Sequence, residues 1–237
     1  FILENLLSPH KDLDTSTIDA VLSEAGKLAD NDLAPLNHFG DKNNPVLRQD
    51  NEVQTPEGFK TVFSKIAEGG WIGVASEGEY DGMDLPGRMS AAINEYWHGA
   101  NMSFALCSLL TQGLIDAFTL VGTDEEKKTY LPKFNSGVWT GTMNLTEPQS
   151  GTDLATIKTK ARFDGENWRI QGQKIYITYG EHDMSENIIH LVLARTEGAG
   201  IAPSHRIEST LCDLSIPGLS HSRLAQVLRS HLDSLGP

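Results

Sequence analysis

Asn144-Leu145-Thr146-Glu147-Pro148-Gln149-Ser150-Gly151-Thr152-Asp153 and, a little further on, Gly172-Gln173-Lys174-Ile175-Tyr176-Ile177-Thr178 are the stretches that decide how this chain folds. The first reads as a strand breaking into a loop. Thr142, Met143, Asn144 and Leu145 suit an extended backbone, and Pro148 and Gly151 then end any ladder. The loop is short, polar and glycine-containing, so its backbone N–H groups can closely face an anion or a ring carbonyl. The second stretch predicts a strand with Lys174, Tyr176 and Thr178 on one face and Ile175 and Ile177 on the other. Such a strand sets an aromatic ring beside a hydroxyl, an arrangement suited to a flat polar cofactor.

Between and after these stretches the period is that of strands. Ile157, Thr159, Ala161 and Phe163 alternate with Lys158, Lys160 and Arg162, and Asp164-Gly165-Glu166-Asn167 turns the chain into a partner carrying Trp168 and Ile170. Ile188 to Leu193 predicts a further strand. Upstream the period is helical. Asp14-Thr15-Ser16 offers N-caps to a helix carrying Ile18, Val21, Leu22, Ala25, Leu28 and Ala29, which Asn31 and Pro35 are expected to end. Residues 36–54 read as a surface excursion. Thr55 and Pro56 open a second helix with Phe59, Val62, Phe63 and Ile66 inward and Gly69-Gly70 as its stop. Met89 to Val121 is small and apolar, suiting packed antiparallel helices broken at Gly99 or Gly113. Thr123 with Glu126 forms a capping box for a short helix that Pro132 is expected to end. The fold class expected is therefore α+β: a helical bundle over 1–133, then an antiparallel, barrel-like β domain over 134–198.

At 237 residues, about 100–200 per domain allows one large domain or two small ones. The formal net charge of −13, with no basic cluster beyond Lys158, Lys160 and Arg162, argues against nucleic acid, whose binding needs a basic face. Cys107 and Cys212 are too few and too scattered for a disulfide framework or thiolate metal site, so a reducing, cytoplasmic setting is expected. No consecutive apolar run approaches the ~18–20 residues of a membrane span, and no signal segment opens the chain. His182, Glu186 and His190 would share a helix face, but the strand pattern around Ile188 scatters them, so no metal site is expected. No G-x-G-x-x-G or P-loop sequence occurs.

The loop Thr146-Glu147-Pro148-Gln149-Ser150-Gly151-Thr152-Asp153 resembles the T-E-P-x-x-G-[ST]-D loop of the acyl-CoA dehydrogenase family, and Gly172–Thr178 resembles its G-x-K-x-[WFY]-I-T strand, in the same order and spacing. Gly180 to Arg195 is most similar to one branch of that family. Asp81-Gly82-Met83-Asp84-Leu85-Pro86 keeps part of a further family loop. The resemblance implies FAD as cofactor, with Met143, Leu145, Thr146, Gly151, Thr152, Tyr176, Ile177 and Thr178 around it. Leu145 and Thr146 would face the flavin pyrimidine, Gly151 and Thr152 the pyrophosphate or substrate thioester, Tyr176 the ring, and Thr178 its N5. It also implies an acyl-CoA substrate oxidised to the 2,3-enoyl-CoA, an electron-transferring flavoprotein as acceptor, and a homo-oligomer.

Glu147 and Asp153 are expected to be structural, as part of the loop and as its cap. The family's catalytic base is a Glu from a C-terminal helical domain that no segment here matches. An inactive flavin- or CoA-binding piece is therefore the alternative expectation. After Gly198 the likeness is expected to stop, leaving 199–237 as an aberrant or diverged tail.

Overall fold

A computed structural model describes residues 14–49, 51–165, 168–197 and 207–213. Helix α1 spans Thr15–Leu28; the Asp14 carboxylate caps it by accepting from the Thr17 amide at 2.7 Å. It does not end at Asn31. A π-helical turn, Ala29–Leu33, leads straight into α2, Ala34–Lys42, with Pro35 in the first turn, where a missing N–H costs nothing. The expected surface excursion thus opens as helix, over residues 36–42. Its remainder is a small hairpin of β1, Val46–Leu47, and β2, Val53–Gln54.

Helix α3, Phe59–Glu68, buries Phe59, Val62, Phe63 and Ile66 as their spacing predicts. Its N-cap is Gly58 rather than Thr55, and Thr55 is engaged elsewhere. Helix α4 runs from Gly87 to Val121 with one break, at Asn101. The break falls at neither glycine. Asn101 leaves helical dihedrals so that its buried side chain can accept from the Phe104 amide at 3.1 Å and the Ser103 hydroxyl at 2.8 Å, capping the second half. The halves fold back on one another, with Asn94 donating to Gln112 at 2.9 Å.

Trp97, Phe104, Leu114, Ile115 and Phe118 of α4 lie in the core with Phe63, Ile66 and Ile72. By length and composition alone α4 could cross a membrane, with a window of mean hydropathy 1.7 that is half buried in the fold. Its Asn, Ser, Thr and Gln residues interrupt the apolar run but leave its average high. Helix α5, Asp124–Asn135, carries the Thr123/Glu126 capping box and continues past Pro132.

The sheet follows. Its strands are β3 (Trp139–Asn144), β4 (Lys160–Phe163), β5 (Trp168–Gln171), β6 (Asn187–Glu197) and β7 (Ile207–Asp213), and β6 is the spine. β3 runs parallel to its first half and β4 parallel to its last residues, while β4–β5 and β6–β7 are antiparallel. The sheet is therefore mixed, where sequence pattern led us to expect antiparallel pairing throughout. The parallel pairs join distant segments, and β6 reads accordingly: Ile188 to Ala194 is buried without alternation. β7 lies inside the stretch set aside as a tail; the rest of 199–237 lies outside the described residues.

Helices and sheet meet where α4 packs on β3. Gly141 is needed there, because a Cβ would stand 2.5 Å from the Leu114 Cδ2. Its amide donates to the Thr111 hydroxyl at 3.1 Å. Tyr130, Phe118 and Phe134 gather against Trp139, with the Lys133 ammonium 3.6 Å above the indole.

Candidate functional site

β3 delivers the chain into the loop singled out from the sequence. After Asn144 the backbone leaves the sheet, and Glu147 and Ser150 exchange backbone hydrogen bonds of 2.8 and 3.0 Å across Pro148-Gln149. Gly151 and Thr152 follow, both exposed, with open space where a Gly151 Cβ would stand. Asp153 accepts from the Ala155 amide at 3.0 Å and starts the short 3-10 turn Leu154–Thr156, the capping role expected of it.

Glu147 is buried and fully engaged. Its carboxylate accepts from the Lys158 amide at 2.6 Å, the Thr159 amide at 2.9 Å, the Gln149 side chain at 2.6 Å and the Lys174 ammonium at 2.9 Å. Burial alone would push its pKa up. The hydrogen bonds from Thr159, Lys158 and Lys174 outweigh that and hold it well below the usual carboxylate range. It is a structural anion, as its place in the loop suggested.

The stretch 172–178 is not a strand, which corrects the sequence reading. Lys174 does not share a face with Tyr176 and Thr178. It turns inward to Glu147 and also donates to the Leu145 carbonyl at 2.9 Å. Tyr176 then takes a positive φ of 56° and stands 89% exposed, which ends the alternation. The stretch nevertheless lies along the loop. The Ile175 amide donates to the Thr146 carbonyl at 3.0 Å, and the Thr142 hydroxyl donates to the Thr178 carbonyl at 2.7 Å. Gly172 makes the approach possible, since a Cβ there would collide with the side chain and backbone of Thr159.

The structure thus brings the Leu145–Thr146 arm against the Tyr176–Thr178 arm. Ile177 is half-buried, Thr178 exposed, and Met143 half-buried against the core. Gly151 and Thr152 lie beyond the Glu147–Ser150 turn.

Sequence reasoning missed the turn 179–184. The Tyr179 hydroxyl donates to the Ser103 carbonyl at 2.7 Å, and Asp183 accepts from the Thr55 amide and hydroxyl at 3.1 and 2.7 Å. Both contacts fasten the sheet to the helices. Between them His182 is buried, its ring edge-on to Tyr179 at 5.5 Å. The Met184 amide donates to His182 Nδ1 at 3.2 Å, so the ring proton sits on Nε2, 3.1 Å from the Thr140 hydroxyl and 4.0 Å from the buried Cys107 thiol. Burial, with a smaller contribution from His190, lowers the His182 pKa to about 4 against the opposing pull of Asp183. Burial raises those of Cys107 and Tyr179. Only the Thr140-to-His182 distance in the fold reveals this cluster; nothing in the local pattern signals it. His190 faces the Asn144 amide at 3.1 Å and Glu186 is exposed. Among the described residues no three His, Cys, Asp or Glu side chains gather around a metal position.

Residues 17–138 match the family model for the acyl-CoA dehydrogenase N-terminal domain, and residues 142–231 the model for its middle domain. The second match extends past Gly198. The 3-methylmercaptopropionyl-CoA dehydrogenase of Ruegeria pomeroyi is 43% identical over 81% of this chain, which covers 33% of that protein. A solved electron transferring flavoprotein of Acidaminococcus fermentans superposes with a TM-score of 0.71 at 24% identity, over 89% of this chain and 50% of its own. An acyl-CoA dehydrogenase complexed with FAD from Bacillus anthracis gives 0.69 at 23% identity, over 89% of this chain and 32% of its own. The chain spans about a third of the length of the curated relatives it matches. With both family models matched in order and the first alone covering half of its residues, this chain belongs to the acyl-CoA dehydrogenase family.

Proposed function

We propose that this chain is the flavin-holding part of an enzyme that oxidises an acyl-CoA thioester to the 2,3-enoyl-CoA. One observation carries the reading: the Thr146 and Tyr176 arms are joined by the Ile175 amide, and a bare aromatic ring stands beside the joint. A bulky residue at positive φ costs on the order of 1–3 kcal/mol and persists only where its surroundings force it. A flat ring ligand gives Tyr176 the apolar partner it lacks.

The residues present fit FAD. Leu145 and Thr146 would offer backbone and hydroxyl groups to the pyrimidine, and Tyr176 and Ile177 would lie against the ring. Thr178 would point its hydroxyl toward N5, with Met143 behind. The open approach at Gly151, with Thr152, suits the pyrophosphate or the thioester. Bound there, FAD supplies the acceptor for hydride from the substrate β-carbon. The chain's own contribution is to hold and orient; the two fastened arms set its donors before the reactants arrive. The names of the relatives support the substrate class, and the FAD in a solved neighbour supports the cofactor. The same reading takes residues 1–133 and 134–198 as the two domains, an electron-transferring flavoprotein as acceptor, a homo-oligomeric enzyme, and a cytoplasmic place in fatty acid metabolism.

A specific observation favours a second reading for these 237 residues alone, that they bind flavin without turning over. Glu147 is locked by four donors and is not open to take an α-proton, and Asp153 spends one carboxylate oxygen on capping a turn. General base catalysis contributes ~10²–10⁴-fold.

The test is to mix the purified polypeptide with FAD, follow quenching of flavin fluorescence, then add acyl-CoAs and an electron acceptor. Quenching by the parent protein, weakened about tenfold or more by Tyr176→Ala, supports the site. Equal binding by both overturns it. Robust flavin bleaching by any acyl-CoA overturns the second reading.

A further inference from the structure

We propose that Glu147 and Lys174 are positioning residues: their buried ion pair is the clasp that holds the Thr146 and Tyr176 arms in register for the flavin. The inference rests on the flavin reading above. The pair is withdrawn from water, with side chains 2% and 8% exposed, and the ammonium and carboxylate are 2.9 Å apart. Burying two charges is costly, and a packed apolar pair of the same volume commonly holds a fold as well or better. What an apolar pair cannot do is fix several backbone groups at defined points. Here Glu147 takes the Lys158 and Thr159 amides while Lys174 takes the Leu145 carbonyl, so five hydrogen bonds tie three stretches of chain to one point.

The groups offered to the flavin are immediate neighbours of this point. Thr146 precedes Glu147, Leu145 is held through its own carbonyl, and Tyr176 lies two residues beyond Lys174. Neither stretch belongs to a strand, so no sheet ladder sets their register. Besides the clasp, the backbone bond from Ile175 to Thr146 and the Thr142 hydroxyl on Thr178 are the hydrogen bonds seen between the arms among the described residues.

The clasp is tested on the full chain with Lys174→Met, which keeps the stem and removes the charge, and Lys174→Arg, which restores charge and donors. Two controls accompany them. Lys128→Met removes an exposed charge from α5, and Phe63→Leu loosens the helical core. Amide hydrogen exchange reads the arms without any flavin, and fluorescence quenching by the protein reads FAD affinity.

In Lys174→Met, exchange at Ile175, Lys158 and Thr159 is expected to rise about tenfold or more while the α4 amides stay protected. FAD affinity falls about tenfold or more, and Lys174→Arg recovers most of both. Unchanged exchange at Ile175 in Lys174→Met overturns the clasp. So does a Phe63→Leu protein that loses as much FAD affinity as Lys174→Met, because the effect would then be one of general stability. Should Lys174→Met not fold, Lys174→Arg alone decides: parent-like exchange and affinity support the clasp, and a loss equal to that of Phe63→Leu overturns it. If the parent protein takes up no FAD, the flavin reading fails, while the exchange results still decide whether the pair holds the arms.

Discussion

His182 sits where protonation has nowhere to be accommodated. Its Nδ1 already accepts from the Met184 amide, and its surroundings are Thr140, Cys107 and the Tyr179 ring. The fold therefore keeps it neutral, with a pKa lowered from the ordinary 6.5 to about 4. Between those values the unfolded chain binds a proton that the native chain refuses, so stability is fully present above about 6.5 and drains away as pH falls toward 4. The loss is up to about 3 kcal/mol for a shift of this size. Glu147 and Asp183, both lowered, begin to add their own losses as pH falls below about 4.5, while Glu181 and Asp116, both raised by burial, work against the slope. Urea unfolding across this range is expected to show the slope in the parent and a flatter one in His182→Gln; identical slopes would mean that His182 is not the titrating group.

At the scale of elements, what the sequence could reveal was local. The inward faces of α1 and α3 follow directly from spacing, and the Thr123/Glu126 box is written three residues apart. What stayed hidden depends on contacts far along the chain. The parallel pairing of β3 with β6 joins segments separated by the whole Glu147 loop and the β4–β5 hairpin. The Tyr176 stretch has the alternation of a strand, yet a buried lysine and a positive φ remove it from the sheet. The Asn101 break is the intermediate case, because its cap is local but glycines are the more familiar breakers. Asn101 caps the second half of α4 and donates to the Leu33 carbonyl at 3.3 Å. Asn101→Ala removes both contacts in a buried place, so a loss of about 1–3 kcal/mol is expected in chemical denaturation. A change within a few tenths would show that the break holds without its cap.

For the whole molecule, the same helix that builds the core also carries an unburied apolar stripe. Phe104, Leu114, Ile115 and Phe118 face inward, whereas Met102, Leu109 and Leu120 are 60%, 41% and 71% exposed along the second half of α4. This two-sidedness is why the helix is apolar enough to satisfy a membrane criterion while half of it is packed in the fold. These side chains share one helix face, on which Gly113 and Asp116 stand between Leu109 and Leu120, and exposed apolar surface favours association. The net charge of −13 opposes association at low salt, and screening shortens that repulsion to about 8 Å at physiological ionic strength. The two effects predict a salt-dependent tendency of this polypeptide to self-associate through α4. Leu120→Lys separates surface from core, because a residue this exposed buries little on folding and its replacement should change stability by less than about 0.5 kcal/mol. Light scattering at raised salt should then report smaller particles for Leu120→Lys than for the parent, with the melting temperature unchanged. A melting temperature lowered by several degrees would place Leu120 in a packed interior instead, and unchanged scattering would show that the stripe is not the surface through which copies meet.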